Sequence, residues 1–263
     1  MIISDRNKFV FIHIPKCAGT SVRSRIEHLD DRRGAYSSRL DEHPELGLLN
    51  YVHIPLSTLR DHFPYEYECV KAYRSLAIMR NPAERFVSSV SQYCNRYSDV
   101  EMRNHSIKTL RRQVDRLIYE IEEQEALNPG GRLSAKLIHF QRQHHFTHLD
   151  GTQVVQNIVD VSQVDNALID LLGASELRGD DAVKANESRV YRNEGIKILA
   201  SSVKAGAPGI HRVLSHRVSA WVAERLHAPL KDQFATVFED VKIRDFIARY
   251  YDFDEILLNE FTG

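Results

Sequence analysis

Phe9-Val10-Phe11-Ile12-His13-Ile14-Pro15-Lys16-Cys17-Ala18-Gly19-Thr20-Ser21-Val22 is the stretch on which the fold turns. Its first half is an apolar run rich in β-branched and aromatic residues. That length suits a strand buried on both faces and is too short for an ordinary helix, so it reads as a central parallel strand. Pro15 stops the strand, Gly19 lets the backbone turn tightly, and Thr20-Ser21 marks the start of a helix. A strand feeding through a short loop into a helix N-terminus makes an anion site. Loop N–H groups and the positive end of the helix dipole converge there, and Lys16 adds a full charge. Phosphate or sulfate suits such a site.

The loop is not of the Walker A type, Gly-x-x-x-x-Gly-Lys-Ser/Thr, because Lys16 precedes Gly19. An ordinary ATPase or GTPase is therefore disfavoured. Outward from the loop, Val22, Ile26 and Leu29 recur at helical spacing, which predicts an amphipathic helix over 20–29. Residues 30–50 are charged, carry Gly34, Pro44 and Gly47, and read as a surface loop. Tyr51-Val52-His53-Ile54-Pro55 reads as a short strand ended by proline, with a brief helix over 56–63. His53 would stand at the C-terminal end of that strand, where α/β sheets place their ligand crevice. It is a candidate general base, because an imidazole titrates near ~6.5. A histidine satisfied by a backbone carbonyl at a strand end is the competing account.

Tyr73 to Met79 reads as a second buried strand, followed by Arg80-Asn81-Pro82-Ala83-Glu84-Arg85-Phe86-Val87-Ser88. Asn81 is a good N-cap and Pro82 fits the first helical position, so a helix follows directly and Arg80 is left at the sheet edge. Phe86, Val90, Tyr93, Cys94 and Tyr97 take the apolar spacing, while Arg85, Ser88 and Gln92 share another face. Arg80 and Ser88 could hold a phosphate monoester, guanidinium fork and hydroxyl together. A capped helix with polar outer residues accounts for the same pattern.

Ile-Pro-Lys-Cys-Ala-Gly-Thr-Ser resembles the 5′-phosphosulfate loop of sulfotransferases that use 3′-phosphoadenosine 5′-phosphosulfate (PAPS), most of all the carbohydrate branch (sulfotransferase family 2-like). Arg-x-Pro-x-x-Arg-x-x-Ser after an apolar strand resembles their 3′-phosphate motif. His53 lies between the two, where carbohydrate sulfotransferases carry their base. The resemblance covers residues 8–97 well and the rest loosely. It implies a three-layer α/β/α sandwich with a mostly parallel sheet, P-loop NTPase-like, over one domain spanning 1–263. It also implies transfer of a sulfuryl group from PAPS to an acceptor hydroxyl, leaving adenosine 3′,5′-bisphosphate (PAP). By that resemblance His53 deprotonates the acceptor. Lys16, Cys17, Ala18, Gly19, Thr20 and Ser21 form the 5′-loop, with the N–H groups of Gly19, Thr20 and Ser21 facing developing charge. Arg80 and Ser88 take the 3′-phosphate. Asn186-Glu187-Ser188 resembles an Asn-x-Ser element that relatives place near the nucleotide, so Asn186 and Ser188 join the binding set, although an Asx-turn explains the string equally well. The acceptor implied is a glycan or glycoconjugate. A lipid, a tyrosyl peptide or a small metabolite stays open.

Residues 99–126 read as a long charged helix, with Lys108, Arg112 and Arg116 in one basic stripe. Interspersed acids favour an ion-paired, solvated face over a glycan-binding one. His144 and His148 could share a helix face as metal ligands, but His145 stands where a zinc protease needs glutamate and no third ligand is evident, so no metal is expected. Phe140, Gln143 and Phe146 resemble the family's Gln-centred segment beside the acceptor site. Residues 154–161 read as a strand and 163–172 as a helix closed by Gly173. Helices follow at 211–226, 230–240 and 243–250, and Arg249-Tyr250-Tyr251-Asp252-Phe253-Asp254 resembles a closing Tyr-x-x-Asp pattern that packs.

Composition agrees. The chain has 263 residues, 43% of them hydrophobic, and a net charge of −1, so an anionic partner needs a local patch and nucleic acid is not expected. Cys17, Cys69 and Cys94 cannot all pair, which fits a reducing compartment. No apolar run approaches the ~20 residues that span a bilayer, and a soluble, cytoplasmic protein without a membrane span is the expectation. Two rivals stand beside the transferase: a nucleotide or small-molecule kinase with a degenerate P-loop, and a non-catalytic nucleotide-binding protein.

Overall fold

A computed structural model describes residues 1–37, 40–97, 105–178, 190–191, 227–228 and 232–262. Its centre is a four-stranded sheet, order β1 (Ile2–Ser4), β2 (Phe9–Ile12), β5 (Arg74–Met79), β8 (Asn157–Asp160). β1 pairs antiparallel with β2, whereas β2–β5 and β5–β8 are parallel, with Ile12 opposite Ala77 and Met79 opposite Asp160. Successive strand residues point to opposite faces. All four side chains of β2 are at most 2% exposed, so both faces of the sheet are covered. Each such side chain contributes roughly 1.5–3 kcal/mol of burial. The Phe9 run is thus the interior parallel strand its composition implied, and the sheet is mixed but mostly parallel.

Between β2 and β5 lie α1 (Gly19–Ile26), the hairpin of β3 (Leu40–His43) and β4 (Gly47–Asn50), α2 (Leu56–His62) and α3 (Pro64–Ala72). After β5 come α4 (Pro82–Tyr97), α5 (Ile107–Leu127), the small hairpin of β6 (His148–Leu149) and β7 (Thr152–Gln153), then β8 and α6 (Val164–Leu172). The described chain closes with α7 (Asp232–Phe238), α8 (Val241–Tyr250) and α9 (Asp252–Thr262). Among the described residues no helix is long and apolar enough to cross a membrane.

The helix starts follow local chemistry. Asn81 Oδ1 accepts from the N–H of Ala83 (3.0 Å) and Glu84 (3.2 Å), and Ser106 Oγ accepts from Thr109 N–H (3.1 Å), capping α4 and α5. α4 turns Phe86, Val90, Tyr93 and Cys94 into a second apolar cluster shared with Leu110, Val114, Leu117 and Ile121 of α5 and Phe246 and Tyr250 of α8. Tyr97, expected on that face, is 39% exposed.

Four expectations need correction. Residues 30–50 are not all loop, since the β3–β4 hairpin crosses them. Tyr51-Val52-His53 is a turn after β4, not a strand. His144 and His148 do not share a helix, because Gln143–Phe146 is a single 3₁₀ turn running into β6. A further helix, α9, follows Tyr251. Helix 211–226 lies outside the described residues.

Candidate active site

The two strand-to-helix junctions open side by side because β2 and β5 are parallel neighbours. After β2, Lys16 (φ 65°) and Ala18 (φ 57°) both take the left-handed conformation that L side chains rarely adopt, wrapping the loop onto the start of α1. Such strain persists where surrounding structure enforces it, often at ligand sites. The N–H groups of Ser21 (2.9 Å) and Val22 (3.2 Å) donate to the Ala18 carbonyl. Ser21 N–H is therefore committed to the first turn, and Gly19 and Thr20 keep the N–H groups that open the helix. Ser21 Oγ is buried without a hydrogen-bond partner. Gly19 is required for space: a Cβ there would stand 1.9 Å from Cδ2 and Nε2 of His13.

Lys16 Nζ donates to Gln92 Oε1 (3.4 Å) on α4, one helical turn beyond Ser88, which is 9% exposed. Among the described residues no carboxylate pairs with Lys16. Burial, and then the Arg80 charge, lower its pKa from the ordinary lysine value. Lys16 thus feels a second cation and has no carboxylate of its own among the described residues, an arrangement that a bound anion relieves. Arg80 itself is paired with Glu84 (Nε to Oε2, 3.0 Å; Nη2 to Oε2, 2.9 Å).

His53 reaches the same place by a turn. Its ring is 8% exposed, and Nδ1 donates to the His13 carbonyl (2.8 Å). The carbonyl contact was the competing account of this histidine, yet it also fixes the tautomer: with the proton on Nδ1, Nε2 keeps its lone pair. Burial, then the neighbouring His139, hold His53 well below the usual histidine value, only partly offset by the His13 carbonyl. The rings of His13 and His139 stand edge-on to His53, with centroids 4.7 and 5.3 Å away. Burial, then Lys16, bring His139 down to about 4. Three neutral imidazoles thus wall the space beside Lys16.

Behind this wall, Gln143 is fully buried and joins the two junctions. Its Oε1 accepts from Arg80 N–H (2.9 Å) and Cys17 Sγ (3.2 Å), and its Nε2 donates to the Arg80 carbonyl (2.9 Å). Its own N–H donates to Asp254 (2.7 Å). Burial alone would raise the Asp254 carboxyl, but the hydrogen bond to His144, the charges of His144 and Arg85 and the Gln143 N–H hold it below the usual range. Burial pushes the Cys17 thiol up to about 12, so Cys17 packs and donates and is no nucleophile at neutral pH.

Arg85, read as an outer residue of its helix, is instead wholly buried. It donates to the carbonyls of His139 (3.0 Å) and Gln141 (2.8 Å) and lies 5.0 Å from the Tyr251 ring centroid, with Tyr251 Oη donating to the Phe140 carbonyl (2.8 Å). It anchors the segment that presents His139 and Gln143. Asn186 and Ser188 lie outside the described residues. Lys108, Arg112 and Arg116 are exposed along α5.

The structure brings Lys16, Cys17, Gly19, His53 and Arg80 to one place, with Ser88 on the adjoining helix. His13, His139 and Gln143 complete it, and of these three His13 carried no role in the sequence motifs. No curated protein and no solved structure matches the chain. A family model described as the sulfotransferase family matches residues 1–259, nearly the whole length. With that match running across both strand-to-helix junctions, the chain belongs to the sulfotransferase family.

Proposed function

We propose that this sulfotransferase takes its sulfuryl group from PAPS and passes it to the hydroxyl of a carbohydrate acceptor. PAPS supplies an activated sulfuryl group whose departure leaves PAP. The observation that carries the reading is that Lys16 and Arg80 stand at adjacent parallel strand ends, where Lys16 feels the Arg80 charge and has no carboxylate partner among the described residues. One ligand bearing two anionic ends fits that pair, and the buried, unpartnered Ser21 Oγ offers a further donor.

In this reading Lys16, with the Gly19 and Thr20 N–H groups, grips the 5′ end and neutralises charge on the leaving oxygen. Arg80 and Ser88 hold the 3′-phosphate. His53 Nε2 takes the proton of the acceptor hydroxyl as the oxygen attacks, its Nδ1–H held by the His13 carbonyl throughout. The neutral rings of His13 and His139 exclude water from the base.

Calorimetric titration tests the assignment. PAP should bind without magnesium and far more tightly than ATP with magnesium. The reverse preference would make the chain a kinase-like protein, and PAP binding without turnover across a broad panel of hydroxyl acceptors would make it a non-catalytic binder. The Arg80→Ala variant should lose affinity for PAP far more than for adenosine 5′-phosphate, which lacks the group Arg80 grips. Equal losses would remove Arg80 from the 3′ site.

A further inference from the structure

A cavity of about 360 Å³ opens between α2, the 3₁₀ turn at Gln143–Phe146, the β6–β7 hairpin and the start of α9. Ser57, Arg60, His144, His145, His148 and Phe253 line it, and none of Lys16, His53, Arg80 or Ser88 does. Its size falls near the lower end of small-ligand pockets, ~300–1,000 Å³.

The hydrogen bonding sorts the imidazole edges. His144 Nδ1 meets Asp254 Oδ1 (2.7 Å). His145 Nδ1 accepts from Gln141 Nε2 (2.5 Å), so its proton sits on Nε2. Thr147 Oγ1 donates to the His144 carbonyl (3.3 Å) and so accepts from His148 Nδ1 (2.9 Å), leaving His148 Nε2 a lone pair. Each ring is thus tied to the protein through Nδ1 and keeps its Nε2 edge, with a donor on His145 and an acceptor on His148.

Charge decides the class of ligand. The Arg60 guanidinium is held by Asp61 (Nε to Oδ1, 2.7 Å) and by Asp150 (Nη1 to Oδ2, 3.3 Å), so two carboxylates face one cation. Burial holds His145 neutral at about 4 and moves His148 the same way. The cavity offers no surplus positive charge to a phosphate, sulfate or carboxylate. Among the described residues no cluster of histidines, cysteines and carboxylates has the geometry to hold a metal ion. What it does offer is hydroxyl-scale donors and acceptors around an apolar ring: Phe253 stands edge-on to His144 (5.0 Å) and His148 (5.7 Å), and Ser57 also lines the cavity.

We infer that this cavity is a second binding site, separate from the nucleotide cleft, for an uncharged polyhydroxylated ligand: a neutral saccharide unit. It neighbours the nucleotide loops, because the Asp254 carboxylate that accepts from His144 N–H (2.9 Å) also accepts from Gln143 N–H (2.7 Å).

The test is an NMR titration of the full chain, following the imidazole signals of His144, His145 and His148. Lactose, cellobiose and chitobiose are the neutral probes, and glucuronic acid and glucose 6-sulfate the charged ones. Neutral sugars should shift the His145 and His148 signals saturably, and the charged sugars should bind at least ~10-fold more weakly, about one hydrogen bond's worth of discrimination or more. The His148→Ala variant should weaken the neutral sugars by ~10-fold or more and leave PAP affinity unchanged. No saturable shift with any neutral sugar, equal or tighter binding of the charged ones, or undiminished sugar affinity in His148→Ala would each overturn the inference. The wild-type arm does not depend on how the variant folds. PAP binding is read on the same samples, so failure of the nucleotide reading and failure of the saccharide site are told apart.

Discussion

Gln143 holds Arg80 by both of its peptide groups, accepting the Arg80 N–H and donating to the Arg80 carbonyl, each at 2.9 Å. Through Cys17 the same amide reaches the other junction (3.2 Å). The Gln143→Leu variant keeps the volume but strands a backbone donor and a backbone acceptor in the interior, each costing ~1–3 kcal/mol. Unfolding in urea should register a loss of several kcal/mol on that scale. In conditions where the variant is still folded, PAP should bind ~10-fold or more weakly, since both ends of its site lose one brace. Wild-type stability in the Gln143→Leu variant would show that the amide is dispensable.

Gly19 and His13 form a pair of a different kind. The backbone at Gly19 is not left-handed, so alanine is conformationally acceptable there, and only the His13 ring stands in the way, 1.9 Å from the would-be Cβ. Gly19→Ala should therefore push His13 against His53 and cost roughly 1–3 kcal/mol as overpacking, with loss of turnover. His13→Ala in the same chain opens the space, so the double variant should be more stable than Gly19→Ala alone. A double-mutant cycle reads this directly. Strict additivity would mean that the collision is relieved some other way.

These two relationships mark what a one-dimensional reading can reach. The Phe9–Ile12 strand, the Tyr73–Met79 strand and the Asn81-Pro82 helix start were legible because period, composition and capping are local signals. Arg80 and Lys16 were legible as neighbours because parallel strands of one sheet share an end. The β3–β4 hairpin was not, because its residues are mostly exposed or half-exposed and show no clean alternation. His53 was expected at the end of a strand, and that segment is a turn that brings its ring beside His13 and His139. Arg85 looked like a surface residue since nothing near it in sequence reveals the carbonyls of His139 and Gln141, more than 50 positions away. Gln143 meets partners 63 and 126 residues distant, and no spacing rule spans that.

On the proposed mechanism, His53→Ala should lower kcat by ~10²–10⁴, the usual worth of a positioned general base, and leave PAP affinity nearly intact. The pH profile adds a second check. A base whose pKa lies well below the ordinary histidine value stays unprotonated through the neutral range, so activity should hold down to mildly acid pH and fall only when the folded pKa is passed. An acid limb centred near pH 6.5, or unchanged turnover in His53→Ala, would take the proton from some other group.

The same buried imidazoles make stability depend on pH. His139 and His145 sit at about 4, against an ordinary value of 6.5 that applies once the chain unfolds. Between those values the unfolded chain binds protons that the folded chain refuses, so stability rises with pH across that window. The contribution is complete above pH 6.5, declines as pH falls, and is exhausted near pH 4, where the folded rings charge as well. Each unit of depression corresponds to ~1.4 kcal/mol, so the two rings together account for several kcal/mol between neutral pH and pH 4. Thermal melts at steps from pH 7 to pH 4 should therefore show Tm falling steadily on acidification. His139→Gln removes one titrating ring from the wall beside Lys16 and should flatten that slope, even if it lowers Tm at pH 7. A parallel downward shift with the slope unchanged would mean that His139 titrates alike in the folded and unfolded chain, and its depressed pKa beside His53 would fall.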